Sequence, residues 1–144
     1  MKNIEDKDLD EIYMEYDENY CDIEEIAEYF PYVSKEKPYI TYRDIVKMFL
    51  EDKYVHSEVF DELYMANKPG IITYITDQLE ETGRHGWTCM LRVFNVMGKL
   101  YGIKYWWHDD HGYDYDDNSV LEVKVVPTVI YKVAAPTVTY ETIE

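Results

Sequence analysis

The segment from Trp106 to Ser119, WWHDDHGYDYDDNS, concentrates the residues that are best able to bind a metal ion. It holds two histidines and five aspartates. Zinc sites need three or four ligands in fixed geometry, and the His-x-x-His in this segment supplies two. A calcium loop starting at Asp114 would place Ser119 where glycine is needed and Val125 where the bidentate glutamate is needed. We therefore predict a polar loop without a specific metal site, with low-affinity divalent-ion binding as a weaker alternative.

Residues for covalent or cofactor-dependent catalysis lack a recognisable context. The serines are Ser34, Ser57 and Ser119, and none sits in a G-x-S-x-G turn. Cys21 and Cys89 carry no local nucleophile signature, and two thiols cannot form a four-thiolate site. No glycine-rich phosphate loop is present. The sequence predicts a protein that is not an enzyme and carries no cofactor.

A ladder of carboxylates runs through the N-terminal segment. Its members recur at steps of three and four residues and would form one stripe on a continuous helix. Adjacent carboxylates would then lie roughly 5 Å apart along the axis, close to the ~3.4 Å phosphate spacing of a DNA strand. The stripe is either a partner-binding surface or the solvated side of an amphipathic helix. The ladder consists of Asp8, Glu11, Glu15, Glu18, Asp22 and Glu25.

The elements that would carry these residues form two groups. Apolar steps over residues 4–30 indicate one long helix, or two with a break near Cys21, since Asp22 and Glu25 resemble a capping box. Further helices are predicted to begin at Thr41, at Ser57 and at Pro69, the last ending at Gly83. β-branched residues weaken the prediction for the N-terminal half of that last helix.

A change of period after residue 86 predicts a β-hairpin. Placing Gly98–Lys99 in the turn pairs Val96 with Tyr101 and Phe94 with Ile103, and both faces of the hairpin are then almost wholly apolar. Such a hairpin must be covered on both sides, by helices on one face and by an N-terminal helix, a second copy or a partner on the other. Further strands are predicted at 120–126 and 128–133, with an edge strand in the C-terminal TVTYETI.

These elements define an α+β fold in a single domain, 1–144. Four or five N-terminal helices, over about 1–83, would precede an antiparallel β-meander of three to five strands, over about 84–144. The charged start, MKNIEDKDLD, is unlike a signal peptide, and no apolar run approaches the length of a membrane span. A cytoplasmic location follows, in the host cytoplasm if the protein is phage-encoded.

The charge is strongly and unevenly negative. The net charge is −16, residues 1–31 hold 12 acids and 2 lysines, and residues 84–107 hold 4 bases and no acid. Direct binding to nucleic acid or to an anionic membrane is disfavoured, whereas basic protein surfaces are favoured. Tyrosine, with 16 copies, is typical of binding surfaces. Beside the ladder, a second candidate partner-binding set therefore lies in the segment from Trp106 to Ser119. Its members are Trp106, Asp109, Asp110, Tyr113, Asp114, Tyr115, Asp116 and Asp117.

In its short, acidic, tyrosine-rich style, with helices ahead of the hairpin VFNVMGKLYGIKYWW, the chain resembles small phage-encoded inhibitors of anti-CRISPR and anti-restriction type. Several such proteins mimic DNA. The resemblance implies a non-enzymatic inhibitor that binds the basic, nucleic-acid-binding cleft of a host defence nuclease. The alternative is an interaction or assembly module, a homodimer joined through the hairpin 87–107 at Trp87, Leu91 and Trp106.

Overall fold

The computed structural model describes residues 5–114, 118–128 and 137–143, and antiparallel β-structure dominates it. The strands of the main sheet are β3 Asn67–Lys68, β4 Ile72–Thr82, β5 Trp87–Val96, β6 Lys99–His108, β7 Gly112–Asp114, β8 Val120–Thr128 and β9 Thr137–Thr142. Neighbouring strands follow the order β3-β4-β5-β6-β8-β9, and β7 adds to β6. Four short helices precede them: α1 Asp6–Leu9, α2 Ile23–Tyr29, α3 Tyr42–Lys47 and α4 Ser57–Phe60. The prediction of four or five N-terminal helices over about 1–83 is wrong, because the α-helices are only four to seven residues long and strands, including β4, lie in the same part of the chain.

The N-terminal segment is not a long helix because a strand interrupts it. Strand β1, Ile12–Glu15, pairs antiparallel with β2, Tyr39–Thr41. The backbone N–H of Tyr16 also donates to the carbonyl of Pro38 at 2.7 Å. These long-range pairings override the helical spacing of the apolar residues, which propensity alone cannot enforce. The predicted break near Cys21 is present, with Asp22 as the N-cap of α2.

Where a helix from Pro69 to Gly83 was predicted, the chain forms the long strand β4. Its β-branched residues lose rotamer freedom in a helix and suit a strand. Pairing along the whole of β5 supplies the backbone partners. The predicted starts at Thr41 and Ser57 do begin helices, and Thr41 caps α3 by accepting from the Asp44 amide. Helix α4, however, is a single turn, and a 3₁₀ turn at Leu63–Met65 follows it.

The predicted hairpin is present, with its register shifted by two residues. Val96 pairs with Lys99 and Phe94 with Tyr101, so the turn residues are Met97 and Gly98. Both have positive φ, as a type I′ turn requires, whereas the sequence predicts a two-residue turn of the Gly-X kind at Gly98–Lys99. A shift of two keeps every side chain on its predicted face, since the side-chain period is two.

The two faces of the β4–β5–β6 sheet are covered by different parts of the chain. On the first, the helix-covered face, Phe94, Val96 and Ile103 are fully buried against the helices and loops of residues 9–66. On the second, the ribbon-covered face, Leu91 and Val93 pack against Val123 and Tyr140 of the β8–β9 ribbon. The second cover is thus the chain's own C-terminus, which was not among the predicted candidates. Part of the predicted strand 128–133 lies outside the described residues.

A buried ion pair lies within the helix-covered face. The guanidinium of Arg92, 2% exposed, donates to both carboxylate oxygens of Asp77 at 2.8 and 3.1 Å. It also lies 4.8 Å from the ring centroids of Phe60 and Tyr105.

In the part of the chain that the structure describes, no helix is long and apolar enough to cross a membrane.

Candidate functional site

A cleft of about 880 Å³ opens at one end of the ribbon-covered face. The strand register places three cross-strand rows there, from the ribbon outward: Gln78–Leu91–Lys104, Glu81–Cys89–Trp106, and Trp87–His108. The ribbon covers Gln78 and Leu91 of the first row, and the Gln78 amide both donates to and accepts from the Tyr140 backbone at 2.7 Å, while Lys104 stays exposed at the edge of the cleft. The outer two rows remain open and form the floor of the cleft.

Two tryptophans form the apolar part of this cleft, and both are held in place. The Trp106 ring lies over Gly83, so closely that a Cβ at residue 83 would stand 2.6 Å from the ring. Trp87 lies 5.0 Å from the His108 ring and is stacked on His111 at 6.0 Å, measured between centroids. Both indoles are half-buried and keep part of their surface in solvent. The cleft therefore has a fixed aromatic lining.

Charged groups of both signs edge the cleft. Arg84, in the β4–β5 turn, and Lys104, on β6, supply positive charge, and within the described residues neither forms a salt bridge. Glu80 and Glu81 supply negative charge from β4. Burial, with a smaller contribution from Glu81, raises the pKa of Cys89 at the centre of the floor. Cys89 is therefore a neutral thiol at physiological pH, and the cleft contains no thiolate nucleophile.

Part of the segment from Trp106 to Ser119 folds as a turn between β6 and β7. The Asp110 amide donates to His108 Nδ1 at 3.0 Å, so Nδ1 carries the lone pair and Nε2–H donates to the His85 carbonyl at 2.7 Å. The indole N–H of Trp107 donates to Asp109 at 3.2 Å. The backbones of Tyr113 and Asp114 pair with β6. Tyr115, Asp116 and Asp117 lie outside the described residues.

Within the described part of this segment, Trp106 lies apart from the two aspartates of the turn. Trp106 faces the cleft, whereas Asp109 and Asp110 are exposed in the turn beyond it. Among residues 5–114, 118–128 and 137–143, no three histidine, cysteine or carboxylate side chains converge as a metal site would require.

The six-member carboxylate ladder does not exist as a helical stripe, since β1 and a turn separate its ends. Asp8 accepts from the Glu5 amide at 3.2 Å, Glu11 is ion-paired with Lys68, and Asp22 caps α2. These three carboxylates therefore have local structural roles. Glu15, Glu18 and Glu25 are exposed.

Acidic side chains nevertheless meet on another surface, which we call the acidic tyrosine face: Tyr16, Glu25, Tyr29, Glu58 and Glu62. Desolvation and then the Glu58 carboxylate raise the pKa of Tyr29, with Glu25 adding to the effect. Desolvation and the same Glu58, followed by smaller contributions that include Glu62, raise the pKa of Tyr16. Glu58 of α4 therefore lies near both phenols, with Glu25 of α2 beside Tyr29 and Glu62, just after α4, beside Tyr16.

Several residues of the cleft and of the acidic tyrosine face are not among the partner-binding residues predicted from the sequence. The acid-free stretch 84–107 already marked Arg84 and Lys104 as unusual in so acidic a chain. Glu80 and Glu81 were assigned to a helix, which hid their position beside the hairpin. Glu58 and Glu62 lie far along the chain from Glu25, and no local signal connects them.

Comparisons with known proteins give no further guidance, since no protein-family model, curated protein or solved structure matches this chain.

Proposed function

We propose that this chain is a non-enzymatic inhibitor that places its acidic tyrosine face against a basic, nucleic-acid-binding cleft of a host defence nuclease. The observation that carries the proposal is the convergence of Glu58 and Glu25 on Tyr29, together with Glu58 and Glu62 on the neighbouring Tyr16. It replaces the helical ladder as the basis for a DNA-mimic-like function of the kind suggested by the resemblance to small phage inhibitors.

The charge arrangement supports binding more than stability. Among the described residues, Glu25, Glu58 and Glu62 form no salt bridge, whereas Asp6, Asp10, Glu11 and Glu24 each do. Carboxylates brought together without a cation repel one another and reduce the stability of the fold. A basic partner surface would supply the missing counter-charge.

The tyrosine supplies the apolar contact that charges alone lack. The Tyr29 side chain is exposed, 55% by area, and stands among the carboxylates. Tyrosine adds contact area at low entropic cost and is enriched at binding hot spots. Steering by the carboxylates would speed association, and burial of the ring would slow dissociation.

The test is capture of proteins from host lysate on the immobilised chain, with competing duplex DNA and increasing salt. We expect capture to fall with both, and to be lost in the triple variant Glu25→Lys, Glu58→Lys, Glu62→Lys. The matched control reverses the same number of exposed charges elsewhere, with Glu36→Lys, Glu51→Lys and Glu141→Lys. Capture that DNA does not displace, or that both triple variants retain equally, would contradict the proposal.

A homodimer joined through the hairpin is not proposed as a second function. Its predicted interface includes Leu91, and Leu91 is fully buried under the β8–β9 ribbon.

A further inference from the structure

From the cleft on the ribbon-covered face, we infer a second binding site, for a small ligand that combines a flat aromatic ring with an anionic group, the chemistry of a nucleotide. This site is separate from the acidic tyrosine face, and it does not depend on the proposed inhibitor function. Its occupant is argued from three observations: the fixed tryptophans, the cations beside them, and the carboxylates on the opposite edge.

The aromatic ring would stack on Trp106. Every nucleobase has a π-face, and stacking on an aromatic side chain is a common source of affinity for bases. Trp106 keeps part of its ring exposed although Gly83 fixes the ring from behind, so little ordering is needed on binding. The volume of about 880 Å³ is ample for a ligand of this size.

The anionic group would lie against Lys104, with Arg84 adding positive charge from the far end of the cleft. Lys104 stands two residues before Trp106 on the same face of β6, which places the two about 7 Å apart along the strand. Arg84 lines the cleft from the β4–β5 turn. The strongly negative remainder of the molecule opposes an anion weakly, because at physiological salt charges beyond about 8 Å are screened.

The carboxylates on the β4 side would bind hydroxyl groups. Glu81 lies in the same cross-strand row as Trp106, with Cys89 between them. Two strand spacings, about 10 Å, therefore separate the Glu81 and Trp106 backbones. A carboxylate at this position can accept hydrogen bonds from sugar hydroxyls, as acidic residues do in nucleotide-binding folds. A cleft lined by cations alone would not discriminate between a nucleotide and free phosphate in this way.

The experiment is titration of the ¹⁵N-labelled protein with adenosine monophosphate, followed through the three tryptophan indole N–H signals. We expect the signals of Trp87 and Trp106 to shift, and that of Trp107, on the opposite face, to shift less. Adenosine and ribose 5-phosphate should each bind about tenfold more weakly, because each lacks one of the two anchors. Uridine monophosphate distinguishes a purine preference from general stacking.

Two variants and a control complete the test. Lys104→Glu and Trp106→Ala should each lower the affinity about tenfold or more, while Lys47→Glu, an exposed charge reversal on α3, should leave it unchanged. The dispersion of the amide spectrum shows whether each variant is folded, and Lys104 is exposed, so its replacement tests the site even if Trp106→Ala unfolds. No shift at millimolar nucleotide, shifts that Lys104→Glu leaves unaltered, or a dimer that buries Trp106 would overturn the inference.

Discussion

The helix-covered and ribbon-covered faces of the β4–β5–β6 sheet are similarly apolar along the hairpin but are buried to different extents. Among the described residues, the first packs with a continuous layer built from residues 9–66 in a hydrophobic cluster of nineteen buried residues. On the second, the hydrophobic cluster beneath the two-stranded ribbon has three buried residues, Leu91, Val93 and Val123. Beyond the ribbon the second face opens into the cleft at Trp87 and Trp106.

The difference shows how one hairpin can serve both stability and binding. An apolar face that is fully covered contributes to the free energy of folding through burial. An apolar face that is left partly open, with charges at its edge, retains surface for a ligand. We therefore expect substitutions to reduce stability most on the helix-covered face and least in the cleft.

The largest effect is expected from Phe94→Ala. Phe94 is fully buried and lies 5.4 Å from the Phe49 ring, so its removal leaves a cavity between the sheet and the helical layer. We expect the free energy of unfolding, measured by urea denaturation, to fall by about 3–5 kcal/mol. Met97→Ala, in the exposed turn of the same hairpin, is the control and should change it by less than about 0.5 kcal/mol. Equal effects would show that the face is not a packed core.

Asp77→Ala should follow, with a loss of about 3 kcal/mol, because it removes the carboxylate that accepts two hydrogen bonds from the buried guanidinium of Arg92. Asp77 is itself 24% exposed, which places the effect at the lower end for a buried pair. Adding Arg92→Met should restore much of the stability in the same denaturation measurement. A double variant as unstable as the single one would mean that the charge pair is not the cause.

Gly102→Ala tests the ribbon-covered face at its tightest contact. A Cβ at residue 102 would lie 2.7 Å from Leu91 Cδ1 and 2.9 Å from Val123 Cγ1, so sheet and ribbon must separate. We expect a loss of about 1–3 kcal/mol in the free energy of unfolding. The double variant Gly102→Ala, Val123→Ala should lose less free energy of unfolding than the sum of the losses in the two single variants. Strict additivity would show that the ribbon does not pack on Gly102.

The smallest effect concerns reactivity and leaves stability unchanged. The pKa of Cys89 is raised, so at pH 8 a smaller fraction is thiolate than for an ordinary cysteine, and its labelling by iodoacetamide is slow. The rate should increase as the pH rises towards the elevated pKa. Single-thiol variants Cys21→Ser and Cys89→Ser, followed by mass spectrometry, compare the two sites. Faster labelling of Cys89 than of the more exposed Cys21 would contradict the buried position of its thiol.

Local chemistry in the sequence determined the elements whose partners are close along the chain. The caps at Asp22 and Thr41 were predictable because each side chain bonds to amides two or three residues away. The faces of the β5–β6 hairpin were predictable because alternation fixes them even when the register is wrong by two residues. The strong negative charge, with its exception at 84–107, was also fixed by composition.

Tertiary structure decided which helically spaced segments became strands and which side chains came together. Ile12–Glu15 carries helical spacing yet forms a strand because the distant segment Tyr39–Thr41 supplies backbone partners, and Ile72–Thr82 forms one because it pairs along the neighbouring β5. The β8–β9 ribbon covers Leu91 because β8 leaves β6 after Glu122 and crosses the sheet towards Gln78. Glu25 and Glu58 both lie near Tyr29, and Glu81 and Trp106 share one cross-strand row, because the fold brings separate segments together, which no local pattern of residues encodes.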